Sequence, residues 1–147
     1  MSVAHPTNAH PHAWVDLSVE VVFDKTGAIT GLRELWLFDD FYSVYATEGM
    51  DQDGDGQPDK AEMAKLVREI IESLAEYNYF TKVWIGRNPV HLNLVTEMSS
   101  EIRNNRLAMI YFIPFKKPVR TDVGALTYSI YDPSYYLSNP LEILKVW

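Results

Sequence analysis

The stretch Trp14–Asp40, "WVDLSVEVVFDKTGAITGLRELWLFDD", decides the fold because it has the pattern of two strands joined by a tight turn. From Trp14 to Phe23, apolar residues alternate with polar ones, which is typical of a half-buried strand. The segment Asp24–Gly27 ("DKTG") is a turn signal, and Ala28–Asp40 supplies a returning strand. The stretch therefore predicts a β-hairpin.

Further strand-like segments follow at 80–86 ("FTKVWIG"), 89–103 ("PVHLNLVTEMSSEIR") and 125–133 ("ALTYSIYDP"). The pair Asn104–Asn105 predicts a tight turn into the apolar segment 106–115, a strand expected to end at Pro114 and Pro118. The fold class predicted is α+β, with an antiparallel sheet or a small β-sandwich of about five or six strands. A helix–loop–helix insertion is expected at about residues 40–79.

The segment 51–62, "DQDGDGQPDKAE", has the spacing of an EF-hand calcium loop. Such a loop needs oxygen ligands at positions 1, 3, 5, 7, 9 and 12, and glycine at position 6 for a sharp reversal. Gly56 occupies position 6. The predicted Ca²⁺ ligands are Asp51, Asp53, Asp55, Gln57 (through its backbone carbonyl), Asp59 and Glu62.

The sequence on both sides of the loop favours flanking helices. From Met63 to Tyr77 the apolar residues recur with the 3–4 spacing of one helix face, and Phe41, Val44 and Tyr45 have the spacing of a short entering helix. Pro58 at position 8 has no N–H for pairing with a second loop, so a solitary calcium loop is expected. The alternatives are an acidic surface loop before a helix N-terminus, a lanthanide site, or a site too weak to fill.

Composition limits the function classes. The chain has 147 residues, 47% of them hydrophobic, which is enough for one domain with a substantial core. Its net charge is −7 and its basic residues are scattered, so nucleic acid is not an expected partner. No apolar run has the length of a spanning helix. The absence of cysteine excludes disulfides, thiolate metal sites and cysteine nucleophiles.

The N-terminus suggests export. "SVA" (Ser2–Ala4) and "TNA" (Thr7–Ala9) have the small-x-Ala form of a signal-peptidase site. Residues 1–9 are therefore interpreted as the remnant of a leader or as a disordered tail, and residues 10–147 as a single domain. The expected location is the periplasm.

Three of the four histidines precede residue 13, and two of them, His10 and His12, lie close to Trp14. Imidazoles two residues apart suit Zn²⁺, Ni²⁺, Co²⁺ or Cu²⁺. Cleavage after Ala9 would add a terminal amine, although Pro11 excludes the copper motif that uses the second backbone amide. A third ligand would come from His91, Asp16, Asp39 or Asp132, and spacing does not select one. The alternative is a polar leader with no metal and a structural His91.

Four motifs carry a resemblance to a known family: "HPHAW.D" (His10–Asp16), "W.FDDFYS" (Trp36–Ser43), "YNYFT" (Tyr77–Thr81) and "YDPSYY" (Tyr131–Tyr136). Together they resemble a domain-of-unknown-function family of exported bacterial proteins, described as the periplasmic component of an uncharacterised ABC-type transport system. The resemblance extends from His10 to about Leu137. It implies a periplasmic location, a link to transition-metal transport and a membrane metal permease as partner.

The resemblance also implies that His10, His12 and Asp132 are candidate metal ligands. The chain is shorter than a two-lobed solute-binding protein, which favours a metal-binding accessory or carrier. The alternative is a calcium-stabilised interaction domain without a transition metal. No nucleophile motif, H-E-x-x-H helix or phosphate-binding glycine loop occurs, so an enzyme is not expected.

Overall fold

The computed structural model describes residues 13–133, 137–138 and 145–146, and it has two sheets and two helices. The larger sheet has the order β5-β6-β2-β1-β8, and the smaller sheet has the order β4-β3-β7-β9. All pairings are antiparallel except that of β1 with the two-residue β8. The elements are β1 (Ala13–Phe23), β2 (Ile29–Phe38), α1 (Asp40–Thr47), α2 (Lys60–Ala75), β3 (Thr81–Ile85), β4 (Asn88–Val90), β5 (Glu97–Arg103), β6 (Arg106–Val119), β7 (Leu126–Ile130), β8 (Leu137–Ser138) and β9 (Lys145–Val146).

The predicted α+β class is confirmed. The prediction left open a single antiparallel sheet or a small β-sandwich, and the structure has two sheets. Their inner faces contribute to one core, in which Leu32 and Ile113 of the larger sheet and Val83 and Leu126 of the smaller one are almost fully buried. The number of strands exceeds the prediction because the described residues also include β4, β8 and β9, which are only two or three residues long.

The first hairpin is confirmed. Val15 of β1 lies opposite Phe38 of β2, and the pairing continues to Phe23 opposite Ile29. In the turn, the Asp24 carboxylate accepts hydrogen bonds from the N–H groups of Thr26 and Ala28, at 2.8 and 3.1 Å. Gly27 takes the left-handed conformation, with φ of 81°. The turn residues therefore set the register that buries one face of each strand.

The second hairpin has the turn that the two asparagines predict. Asn104 and Asn105 have φ values of 49° and 63°, as in the type I′ turn that matches strand twist. The first predicted end of the following strand, Pro114, is wrong, because β6 continues to Val119, one residue past the second predicted end, Pro118. Pro114 lies opposite Gly31, where a register shift interrupts the regular ladder and tolerates a missing N–H.

The predicted strand at 89–103 is also wrong as a single element. Its first part is β4, which pairs with β3 in the smaller sheet, and its last part is β5, which pairs with β6 in the larger sheet. The residues between cross from one sheet to the other. Alternation of apolar residues does not reveal such a crossing, since both parts have the composition of a strand.

Both predicted helices are present between β2 and β3. Helix α2 buries Met63, Val67, Ile71 and Leu74 along one face, as its apolar spacing indicates. Helix α1 differs from the simple amphipathic expectation. Its apolar residues Phe41, Val44 and Tyr45 are 71%, 69% and 60% exposed, whereas Ser43 is buried.

Candidate metal centre

The acidic loop lies between the C-terminal end of α1 and the N-terminal end of α2. The backbone N–H of Asp59 donates to the carbonyl of Met50 at 2.7 Å, which closes the base of the loop. Within it, Gly54 and Gly56 have φ values of 75° and 85°, and a side chain at either position would be strained. The glycine predicted at position 6 is thus required by the backbone.

Three predicted ligands converge in this loop. One carboxylate oxygen from each of Asp51, Asp53 and Asp55 lies within 4.8 Å of the others. All three side chains are exposed. In water, two unit charges at this distance repel by roughly 1 kcal/mol. A divalent cation among the three oxygens would replace this repulsion by attraction.

Backbone N–H groups hold the three carboxylates in place. Asp51 accepts hydrogen bonds from Gly54 and Gly56, at 2.8 and 3.0 Å. Asp53 accepts from the N–H of Asp55 at 3.0 Å, and Asp55 accepts from that of Gln57 at 2.8 Å. A carboxylate has about four acceptor sites, so these bonds orient each group and leave capacity for a cation.

The carboxylates predicted at positions 9 and 12 are not part of this cluster. Asp59 accepts a 3.2 Å hydrogen bond from the N–H of Gln52 and immediately precedes α2. Glu62 lies in the first turn of α2, and Gln57 contributes its N–H to Asp55. The structure thus assembles positions 1, 3 and 5 of the predicted loop, while positions 9 and 12 lie outside the 4.8 Å group.

The predicted transition-metal ligands are only partly described. His10 and His12 lie outside the described residues. His91 is exposed just after β4, and Asp132 is 7% exposed just after β7. Because β3 lies between β4 and β7, the structure does not bring His91 and Asp132 together. His91 and Asp132, which the sequence offers as alternative third ligands, therefore lie in different parts of the smaller sheet.

The backbone of the N-terminal motif pairs with the two residues that directly follow the C-terminal motif. Ala13 pairs with Leu137 and Trp14 with Ser138, in parallel orientation. Asp39 is also near: its carboxylate accepts from the N–H of Trp14 at 2.8 Å and from that of Tyr42 at 3.0 Å. Burial opposes ionisation of Asp39, but the backbone N–H donors outweigh it and lower the pKa of this carboxyl. Asp16, the other candidate, pairs with Arg106 at 2.8 Å.

A buried carboxyl cluster was not predicted from the sequence. Glu34 is fully buried between the sheets, and it accepts hydrogen bonds from Trp36 Nε1 at 2.9 Å, the Tyr111 hydroxyl at 2.7 Å and the Thr81 hydroxyl at 2.9 Å. Burial raises the pKa of the Glu34 carboxyl, and the three donors oppose part of this rise. The signal was present in the sequence, since Glu34 shares the alternating face of Leu32 and Trp36.

The segment beside this cluster has an unusual backbone. Asn78, Tyr79 and Phe80 have φ values of 50°, 56° and 53°, a region that residues with side chains rarely adopt. Two hydrogen bonds to other parts of the chain stabilise this backbone conformation. The Tyr79 hydroxyl accepts from the N–H of Val95 at 2.9 Å, and the Phe80 carbonyl accepts from that of Tyr131 at 2.9 Å. The motif at 77–81 therefore encodes a specific turn that leads into β3.

These features define the class: a two-sheet α+β domain with a helix–loop–helix and a compact acidic loop. The chain belongs to the family described as "Protein of unknown function (DUF1007)", which matches residues 1–142. No curated protein and no solved structure shows a significant match to the chain. In the part of the chain that the structure describes, no helix is long and apolar enough to cross a membrane.

Proposed function

We propose that this protein is a calcium-stabilised domain of the bacterial periplasm, in which Ca²⁺ bound at residues 51–62 holds α1 and α2 together. The observation that carries the proposal is the convergence of the Asp51, Asp53 and Asp55 carboxylates in the predicted calcium spacing. Hard oxygen ligands suit Ca²⁺, whereas softer metals prefer nitrogen or sulfur.

Two further ligands at the start of α2 complete the proposed calcium site. Asp59 supplies position 9, directly or through water, and Glu62 supplies the two-oxygen ligand of position 12. The chain order places Asp51 just after α1 and Glu62 within α2. Binding of one ion to both ends of the loop would therefore stabilise the junction of the two helices.

Native mass spectrometry on chelator-treated protein tests the proposal, with Ca²⁺ and Mg²⁺ added in separate titrations. One bound Ca²⁺ is expected, with affinity reduced about tenfold or more in Glu62→Gln, which removes a charged ligand and leaves the hydrogen bonds among residues 51–57 intact. Asp122→Asn is the matched control, because Asp122 is an exposed carboxylate in a different turn. Failure to bind Ca²⁺, or equal binding by Glu62→Gln, would contradict the proposal.

A second candidate function is a metal-binding accessory or carrier of a transition-metal transport system. The parallel pairing of Ala13 with Leu137 favours it. In the sequence, His10 and His12 precede Ala13 by three residues and one, and Asp132 precedes Leu137 by five. We propose that these three residues bind Zn²⁺, Ni²⁺, Co²⁺ or Cu²⁺, and that a membrane permease is the partner.

Titration calorimetry with each metal tests this candidate in the presence of saturating Ca²⁺. The His10→Ala/His12→Ala variant is expected to lose transition-metal binding and to keep calcium binding. Wild-type affinity should fall as the pH drops below about 6.5, where imidazole protonates. His91→Ala is the control, since His91 lies apart from Asp132. Transition-metal binding that survives in the double variant would exclude the site.

A further inference from the structure

Among the residues that the structure describes, the larger sheet ends in the edge strand β5, in which three of seven residues are charged but other usual protections are lacking. Strand β5 pairs with β6 over all seven residues without a register shift, and it contains no proline or lysine. Its inward-facing residues Met98, Ser100 and Ile102 are uncharged and half-buried. The edge of the smaller sheet is different, because β4 is three residues long and contains Pro89. Natural proteins protect an exposed edge in the way that β4 is protected.

A cleft runs along β5. It has a volume of about 500 Å³, and its β5 wall includes both inward residues such as Met98 and outward residues such as Ser99. Contact with both faces of the strand places the cleft at the edge of β5. The opposite wall consists of residues from the end of the acidic loop and the start of α2, including Pro58 and Met63.

The sequence of β5, "EMSSEIR", is complementary to itself when two copies lie antiparallel. With Ser100 opposite Ser100 of a second copy, Glu97 lies opposite Arg103 and Met98 lies opposite Ile102. Two-fold symmetry produces each of these pairs twice. Opposite charges and apolar pairs directly across two strands are stabilising, whereas like charges are destabilising.

The charges also select this register over its neighbours. Sliding one strand by two residues in one direction places Glu97 opposite Glu101, and sliding it in the other direction places Glu101 opposite Glu101. A slide of one residue would pair inward with outward positions, so the two inner faces could not continue each other. In the selected register, Arg103 lies between Glu101 of its own strand, with which it already pairs, and Glu97 of the second copy.

We propose that β5 is a homodimer interface, at which a second copy of this chain pairs antiparallel with β5 about a two-fold axis at Ser100. The larger sheets of the two copies become continuous through this pairing. Met98 of each copy then lies opposite Ile102 of the other, next to the cleft that both residues line. The proposal does not rest on the proposed calcium function, and because the cleft borders the end of the acidic loop, the dimer is tested both with Ca²⁺ and with chelator.

Sedimentation velocity of the full chain over a wide concentration range tests the proposal at about 0.15 M salt, where repulsion between the net charges is screened beyond about 8 Å. The wild type is expected to form a dimer. Glu97→Lys and Arg103→Glu each place like charges opposite one another twice, and each should weaken the dimer about tenfold or more. The Glu97→Lys/Arg103→Glu variant restores opposite charges in both pairs and should dimerise again.

Arg120→Glu is the matched control, because Arg120 forms an exposed ion pair with Asp122 two residues away, as Arg103 does with Glu101. It should dimerise like the wild type. Thermal unfolding of every variant verifies that the fold is retained. A wild type that is monomeric at all concentrations would overturn the proposal. A dimer that withstands the single charge reversals, or that the double reversal does not restore, would also overturn it.

Discussion

Glu34 is a fully buried carboxyl residue with three side-chain hydrogen-bond partners. Its Oε2 atom accepts from Trp36 and Tyr111, and its Oε1 atom lies 2.9 Å from the Thr81 hydroxyl. That hydroxyl also lies 2.9 Å from the carbonyl of Tyr79. A hydroxyl has one proton, so Thr81 can donate to Tyr79 only if it accepts from Glu34. Thr81 therefore donates to Glu34 when the carboxyl is ionised, whereas a protonated Glu34 donates to Thr81 and frees the Thr81 proton for the carbonyl of Tyr79.

The pH dependence of stability follows from this cluster. Because burial raises the pKa of Glu34 in the folded state, folding favours the protonated carboxyl. Its contribution is fully present below the unfolded pKa, about 4.3, and decreases as the pH rises through the folded pKa. Glu34→Gln keeps one acceptor and one donor and does not titrate. We predict that chemical denaturation from pH 4 to pH 8 shows Glu34→Gln gaining stability relative to the wild type as the pH rises.

Glu34→Leu is the companion variant for this measurement. It leaves the buried donors of Trp36 and Tyr111 without their acceptor, so it should be destabilised by about 2 kcal/mol or more at every pH. A wild type and a Glu34→Gln variant with parallel pH profiles would contradict the assignment of a raised pKa to Glu34.

At the scale of single elements, α1 shows why hydrophobic spacing alone does not orient a short helix. The buried Ser43 hydroxyl donates to the carbonyl of Asp39 at 2.7 Å and accepts from the N–H of Leu107 in β6 at 2.8 Å. Asp39 caps the helix and also binds the N–H of Trp14. These polar residues attach α1 to the sheet, so Phe41, Val44 and Tyr45 face outward.

The hydrogen bond to Leu107 gives a prediction for this helix. Ser43→Ala removes the acceptor of a buried N–H, and we expect a loss of about 1–3 kcal/mol in the free energy of unfolding. Ser73→Ala is the control, because the Ser73 hydroxyl makes a similar bond to the carbonyl of Glu69 but is exposed. Its effect should stay within about 0.5 kcal/mol. Equal effects of the two substitutions in urea denaturation would show that α1 is not attached through Ser43.

Local sequence patterns predicted the positions of the strands and helices better than they predicted which of these elements contact one another. The hairpins and α2 follow from alternation, turn residues and helical spacing, which are properties of neighbouring residues. The division of 89–103 between two sheets and the burial of Glu34 depend on contacts between distant segments. The donor to Glu34 from the smaller sheet, Thr81, is 47 residues away along the chain, so no local pattern contains it.

At the scale of the whole molecule, the candidate metal-binding residues also divide into those that a local sequence pattern brings together and those that only the fold brings together. The convergence of Asp51, Asp53 and Asp55 was predictable because the three residues are alternate positions of one loop. The meeting of Ala13 with Leu137 was not predictable, because it joins opposite ends of the domain. The loop and the pairing of chain ends therefore differ in how directly the sequence specifies them.

Thermal unfolding of the wild-type protein as a function of Ca²⁺ concentration tests the central claim most directly. A ligand that binds only the folded state stabilises it by about 2.7 kcal/mol at a hundredfold excess over its Kd. For a chain of this length, that corresponds to a rise in Tm of about 5–10 °C. We expect such a rise in Tm with Ca²⁺, a smaller rise with Mg²⁺, and a shift of the response to higher Ca²⁺ concentration in Glu62→Gln. A Tm that does not change with Ca²⁺ up to about 10 mM, well above the Kd range of weak extracellular sites, would contradict it.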